Sequence, residues 1–252
     1  MYVVGFALMM AYSVKNRERY RVGKVAAVVL TLFTYVFGVA GALAMGKVYS
    51  AISQKITGEG NSNVAIFGAV IFCPLLLLGL FLLQNLFSGK KNDFRRQMDL
   101  LTPGIFMILT CAKFGCLMEG CCYGVAWEHG IFNPKAEMKV FPVQLFEVVS
   151  MIAVLLLARL IERSKHFVPG MKYPVTAILY CAVRFGWEFA RYYPDERMRR
   201  LALGMTLWQL CCIAVTAVCA AVICYLMFSK RVQNREKALI NTEKRIRKEK
   251  KA

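Results

Sequence analysis

The sequence predicts an all-α fold: a polytopic membrane helix bundle of seven transmembrane helices. Three observations carry that expectation. The 252 residues are 58% hydrophobic with a mean hydropathy of +0.49, too apolar for a soluble domain of this length. A helix that crosses a bilayer needs about 20 predominantly apolar residues, and windows near that length occur at 25–46, 64–87, 100–118, 141–161, 173–193 and 204–228. The formal net charge of +18 is gathered into a few segments instead of being spread.

Taken in order, the first stretch, Met1–Val14, is apolar but short for a span. It reads as the second half of a helix whose beginning is missing, which makes it the seventh helix. Lys15, Arg17, Arg19, Arg21 and Lys24 fill the connection after it. Lys90, Lys91, Arg95 and Arg96 fill the third connection, and Arg159, Arg163 and Lys165 flank the fifth. The intervening segments 47–63 and 119–140 are far less basic. If seven helices alternate, all the basic connections fall on one face, and cytoplasmic loops are the ones enriched in Lys and Arg. That places the chain in a cytoplasmic (plasma) membrane with its N-terminus outside and its C-terminus inside. Arg197, Arg199 and Arg200 break the pattern on the outer side.

Residues 1–228 therefore form one membrane domain, and 229–252 form a basic cytoplasmic tail. No aromatic residues interleave with the tail's charges, so it does not read as a nucleic-acid binder. A basic helix beside a span is attracted to anionic membrane lipids.

Seven of the ten cysteines (73, 111, 181, 211, 212, 219 and 224) lie within apolar windows, where cysteine acts as a small hydrophobe. Cys116, Cys121 and Cys122 stand closer together. Their Cys-x4-Cys-Cys spacing matches no usual zinc pattern, and no His spacing accompanies it. No metal is expected. A disulfide or a reactive thiol is the alternative there, and His129 nearby reads as a solvated loop residue.

The run from Tyr180 to Asp195 is the most informative. Arg184 and Glu188 are four residues apart and share a helix face, with Arg191 about one turn further on. Charges at membrane depth are costly and usually face a bundle interior or a wet cavity. The bland alternative is a structural ion pair. Two other segments carry polar groups near predicted helix ends: Ala112–Gly124, with Lys113, Glu119 and several glycines, and Phe141-Pro-Val-Gln-Leu-Phe-Glu147, in which Gln144 and Glu147 share a face.

Together these segments resemble the bacterial prolipoprotein diacylglyceryl transferase family. Ala112–Gly124 looks like its glycine-rich signature loop. Phe141–Glu147 looks like its His-Pro-Ser-Gln-Leu-Tyr-Glu segment. Arg184–Asp195 looks like its Arg-x-x-x-Glu-Phe-x-Arg-x-Pro-Asp segment, and Gly204–Gln209 like the continuation. The resemblance implies an enzyme that moves diacylglyceryl from phosphatidylglycerol to a lipobox cysteine of a prolipoprotein, forming a thioether and releasing glycerol phosphate. It needs no cofactor. It implies that Arg184 and Lys113 hold the lipid phosphate, that Glu188 orients Arg184, and that Gln144, Glu147, Arg191 and Tyr123 line the substrate site.

This chain also departs from the family pattern. Phe67 and Phe141 stand at the two histidine positions, Lys113 replaces an arginine, Cys116 an asparagine and Cys121 a glutamate. Glu119, next to the turn at Gly120, is the candidate substitute base. The departures leave two alternatives: an inactive member that binds lipid or lipoprotein signal segments, and a membrane thiol protein built on Cys116, Cys121 and Cys122.

Overall fold

The computed structural model describes residues 1–58, 65–88, 93–164, 167–201 and 203–249, with the side chains of Gln84, Arg199 and 230–249 left aside. Lys90, Lys91 and Lys165 of the basic connections lie outside the described residues, as do the side chains of the tail. Eight α-helices are described: α1 Tyr2–Asn16, α2 Lys24–Thr57, α3 Phe67–Ser88, α4 Phe94–Met118, α5 Val143–Glu162, α6 Lys172–Glu188, the short α7 Glu196–Arg199, and α8 Leu207–Glu249. A short 3-10 turn, Arg17–Tyr20, joins α1 to α2.

Four of these helices are long and apolar enough to cross a membrane: α2, α4, α5 and α8 over Leu207–Ser229. The chain is thus a helical multi-pass membrane protein. The other three elements expected as spans are helical too, but α1 has 15 residues, α6 has 17, and the apolar part of α3 is Phe67–Leu83. The all-α expectation also needs a correction. The segment between α4 and α5 carries an antiparallel hairpin, β1 Ala126–Asn133 with β2 Met138–Val140. Its register shifts between Ala126 and Ile131, both of which face Val140. A Cβ on Gly130 would meet the Val140 carbonyl oxygen at 2.2 Å, so a glycine is needed at this irregularity.

Helix ends follow local chemistry. Asp93 caps α4, accepting a hydrogen bond from the Arg95 N–H at 3.1 Å. Pro142 opens α5, where its missing N–H costs nothing. The compositional boundary at 228 is not a break in the backbone, because α8 continues as one helix to Glu249.

Inside the bundle, α2 and α3 cross at two glycines. A Cβ on Gly68 would lie 2.1 Å from the Gly41 carbonyl oxygen, so small residues set this approach. Phe106, Leu101 and Ile105 of α4 anchor a core shared with α3 and α6. Apolar side chains on the outer faces, such as Leu156 and Leu160 on α5, remain exposed, as expected of helices that face lipid.

A polar cluster missed by the sequence reading closes the end of the bundle formed by the basic connections. Lys172 Nζ lies 3.0 Å from Glu162 and donates to the Tyr20 hydroxyl at 2.7 Å. Asp99 accepts from the Gly170 and Lys172 N–H groups at 2.7 and 3.1 Å. The cluster ties together α4, α5, α6 and the turn after α1.

Candidate active site

The opposite end of the bundle gathers the other polar residues. Glu147, in the second turn of α5, is buried at 3% exposure and is shared by three cations. Lys113 Nζ of α4 approaches one of its oxygens at 2.9 Å. Arg184 of α6 donates to the other at 2.8 Å, and Arg191, just past α6, donates to both at 2.9 and 2.8 Å. Charge-assisted hydrogen bonds of this kind are stronger than neutral ones. Glu188 is the second anion. Its carboxylate lies 2.7 Å from Arg184 and 3.5 Å from Arg191, and it accepts hydrogen bonds from Tyr193 and, at 3.2 Å, from Thr206. Burial, and then the Glu188 charge, raise the Tyr193 hydroxyl well above its ordinary range, so it stays protonated as a donor.

Three cations against two carboxylates leave one positive charge in excess. Lys113, Arg184 and Arg191 line a cavity of about 560 Å³, whose wall also includes Tyr123, Tyr193 and Trp208. Tyr123 and Tyr192 stack at 5.5 Å on this wall. An apolar cavity of about 280 Å³ adjoins it and shares Tyr2 and Ile66. A charged hollow beside a greasy one suits an amphiphile with an anionic head group.

The backbone that frames the cavity is held by one close crossing. Gly124 pairs with Arg191 as an isolated antiparallel bridge, and Val125 N–H donates to the Ala190 carbonyl at 3.0 Å. A Cβ on Gly124 would sit 2.6 Å from the Phe141 oxygen and 2.7 Å from the Ala190 oxygen. Only glycine fits there.

Of the residues singled out in the sequence, Arg184, Arg191, Lys113 and Tyr123 meet at the cavity, and Glu147 and Glu188 lie directly behind the cations. Gln144 supports the site without lining the cavity: its amide donates to the Cys121 carbonyl at 2.7 Å. Glu119 is not brought to the cavity wall. Its side chain is 76% exposed and does not line the main cavity, although it lies 3.6 Å from Lys135, which does. The partial burial on which a role as base depends is absent. Phe67 lines the cavity at 4% exposure, against Tyr180 and Trp208. Phe141 instead stacks on Phe146 at 5.0 Å, outside the wall.

The sequence reading also missed how near the cysteines come. Helix α4 ends with Gly120 in the left-handed region at φ 65°. The Gly120 N–H donates to the Leu117 carbonyl and the Cys121 N–H to the Cys116 carbonyl, which is the Schellman pattern. This fold-back brings Cys121 over Cys116. Cys122, also left-handed at φ 58°, then turns toward both. The three Sγ atoms lie within 4.8 Å of one another, and all three residues line the cavity. Hydrogen bonds from the Cys116 and Cys121 thiols lower the pKa of Cys122, with Lys113 and Arg191 adding to the effect and burial opposing it.

Fold and site together define a multi-pass membrane protein with a cation-lined cavity at one end of a helical bundle. The chain belongs to the prolipoprotein diacylglyceryl transferase family, whose model matches residues 1–225. A phosphatidylglycerol–prolipoprotein diacylglyceryl transferase of Dehalococcoides mccartyi is 27% identical over 177 residues, covering 67% of this chain and 62% of that protein. The enzyme numbered 2 of Clostridium perfringens is 28% identical, covering 65% of this chain and 66% of that protein. That of Clostridium tetani is 25% identical, covering 66% and 70%. The chain thus spans a little under two thirds of the length of the Dehalococcoides relative.

Proposed function

We propose that this chain transfers the diacylglyceryl group of phosphatidylglycerol to the lipobox cysteine thiol of a prolipoprotein. The observation that carries the reading is the cluster of Lys113, Arg184 and Arg191 on a cavity that adjoins an apolar one. The names of the relatives agree with it.

In the reaction the acceptor thiol loses its proton, and its sulfur attacks the glyceryl carbon next to the phosphate. A C–S bond forms. The C–O bond breaks, and its electron pair leaves with glycerol phosphate. The phosphodiester carries one negative charge and the departing monoester carries up to two, so fixed cations at the phosphate favour the transition state over the ground state. Arg184, Arg191 and Lys113 serve that role. Glu147 gathers the cations, and Glu188 holds both arginines; the two carboxylates are positioning residues.

The same reading takes α1, α3 and α6 as spans alongside α2, α4, α5 and α8. Seven crossings put the cavity at the outer face of the cytoplasmic membrane, where the prolipoprotein cysteine is presented, and the basic connections and tail inside, against anionic lipid.

The experiment is complementation of a strain depleted of its own diacylglyceryl transferase, together with a labelled-lipid transfer assay on the wild type and Arg184→Ala. Growth and transfer with the wild type, and loss of both with Arg184→Ala, are the expected results. One observation favours the second reading, an inactive lipid binder: Phe67 on the cavity wall has no group that takes a proton. Lipid binding without transfer would select it.

A further inference from the structure

We propose that Cys116, Cys121 and Cys122 form a zinc site on the cavity wall, with three protein sulfurs and a fourth position open to an incoming thiol. The second part rests on the transferase reading above; the first does not.

The geometry is the starting point. In a tetrahedral zinc site, Zn–S bonds of about 2.3 Å hold sulfurs about 3.8 Å apart. Here the three Sγ atoms already lie within 4.8 Å of one another, so small χ1 rotations close the set. All three cysteines are free thiols, and Cys122 is exposed. The convergence is built into the backbone. It depends on the fold-back at Gly120, on the left-handed conformation of Cys122, and on Gln144, which holds the Cys121 carbonyl at 2.7 Å. A non-glycine residue kept at positive φ is costly and tends to mark a functional constraint.

The charge also fits. On binding zinc, each of the three S–H groups loses its proton to solvent and a Zn–S bond forms. The resulting centre carries one net negative charge, beside a cluster with one cation in excess. A closed structural site has four protein ligands, whereas a reactive one has three and keeps a position open. Among the described residues, no fourth His, Cys, Asp or Glu joins the group. A thiol that binds at the open position is deprotonated by the metal. That supplies what Phe67 and the exposed Glu119 do not: an acceptor thiolate at neutral pH, next to the cations that hold the lipid phosphate. The thiolate sulfur then attacks the glyceryl carbon, and the C–O pair leaves with the phosphate.

The test uses the full chain, purified in detergent and reduced without air, and titrated with cobalt(II). Thiolate-to-cobalt charge transfer should saturate at about one equivalent and be displaced by zinc. Cys116→Ser and Cys122→Ser should each weaken binding at least about tenfold, because losing a ligand costs at least as much as losing a group that only orients one. Cys224→Ser, on exposed α8 surface, should change nothing. A lipobox peptide should alter the cobalt spectrum, and its Cys→Ser counterpart should not. If a serine variant fails to fold, alkylation of the wild type with a membrane-permeant maleimide decides: zinc should protect the three clustered cysteines and leave the labelling of Cys224, on the outer face of α8, unchanged.

No charge transfer, no zinc protection, or a disulfide within the trio in protein isolated without reductant would each overturn the metal site. An unchanged spectrum with the cysteine peptide would overturn the open thiol position. Labelled-lipid transfer is measured in parallel. Transfer by metal-free protein refutes the thiol-activating role of the open position and leaves the transferase standing. A cobalt signal in protein without transfer supports the site and refutes the transferase.

Discussion

Replacing Glu147 by glutamine tests the electrostatic logic of the site most directly. Its two oxygens hold Lys113, Arg184 and Arg191 at 2.8–2.9 Å. At that range, unit charges attract by about 6 kcal/mol for an effective dielectric near 20, part of which offsets the cost of burial. Removing one partner from a buried ion pair typically costs about 3–5 kcal/mol. The upper end applies here because one carboxylate serves three cations. Glutamine keeps one acceptor oxygen and turns the other side into a donor that faces a cation. Only Glu188 then remains to balance three positive charges. For a chain of this size each kcal/mol moves the melting temperature by about 2–4 °C, so the expected drop is roughly 10–20 °C. Intrinsic fluorescence during heating in detergent measures it. Adding Lys113→Met to Glu147→Gln should recover part of the loss, since the two residues share one network and their effects do not add. A drop below about 3 °C with no recovery in the double variant would refute the claim that Glu147 holds the cluster together.

Further outcomes follow from the same geometry. Arg184→Ala should weaken phosphatidylglycerol binding at least about tenfold, the scale of a lost charge-assisted contact, whereas Lys237→Ala in the tail should change it little; equal losses would indicate nonspecific attraction. Glu119→Gln should leave the transfer rate within about twofold of the wild type, because its carboxylate stands on the rim with Lys135; a loss of activity would return Glu119 to the mechanism. Gly124→Ala should destabilise by about 1–3 kcal/mol and lower transfer, because its Cβ would push the Phe141 and Ala190 carbonyls apart. At the other end of the bundle, Lys172→Met should cost about 1–3 kcal/mol, because Glu162 loses one partner but keeps Tyr20 and Arg19, while lipid binding by the folded fraction stays unchanged; a selective loss of lipid binding would contradict the separation of the two ends.

The sequence made the helical membrane class legible because span length and charge asymmetry are local, one-dimensional signals. The charged triplet was legible for a related reason: Arg184, Glu188 and Arg191 stand out against apolar neighbours. What stayed hidden depends on three dimensions. Glu147 reads as one of several polar residues at a helix start, and nothing in the sequence says that three cations will converge on it. The hairpin at Ala126–Val140 has no clean alternation, because its register slips at Gly130. Glu119 looked promising because it is close to Lys113 in sequence. Six residues of helix and a helix end carry it out of the cavity to the rim. The cysteine trio was discounted on its spacing, yet the Schellman turn at Gly120 converts that spacing into proximity. A Gly four residues after one cysteine and directly before two more was the available signal.

The two ends of the bundle use buried charge for different ends. Around Lys172, each anion meets its donors: Glu162 takes Lys172 and Tyr20, and Asp99 takes two backbone N–H groups. That end is satisfied internally and holds helices together. Around Glu147, cations outnumber carboxylates, and the surplus faces a cavity instead of another side chain. Uncompensated charge in a poorly solvated cavity is costly, so the surplus favours a partner of opposite sign there. For the proposed lipid substrate, an anionic head group would be a partner of the right sign, with the apolar hollow that shares Tyr2 and Ile66 beside it. The imbalance between the two ends, more than any one residue, is what supports the proposed binding site over a structural ion pair in this bundle.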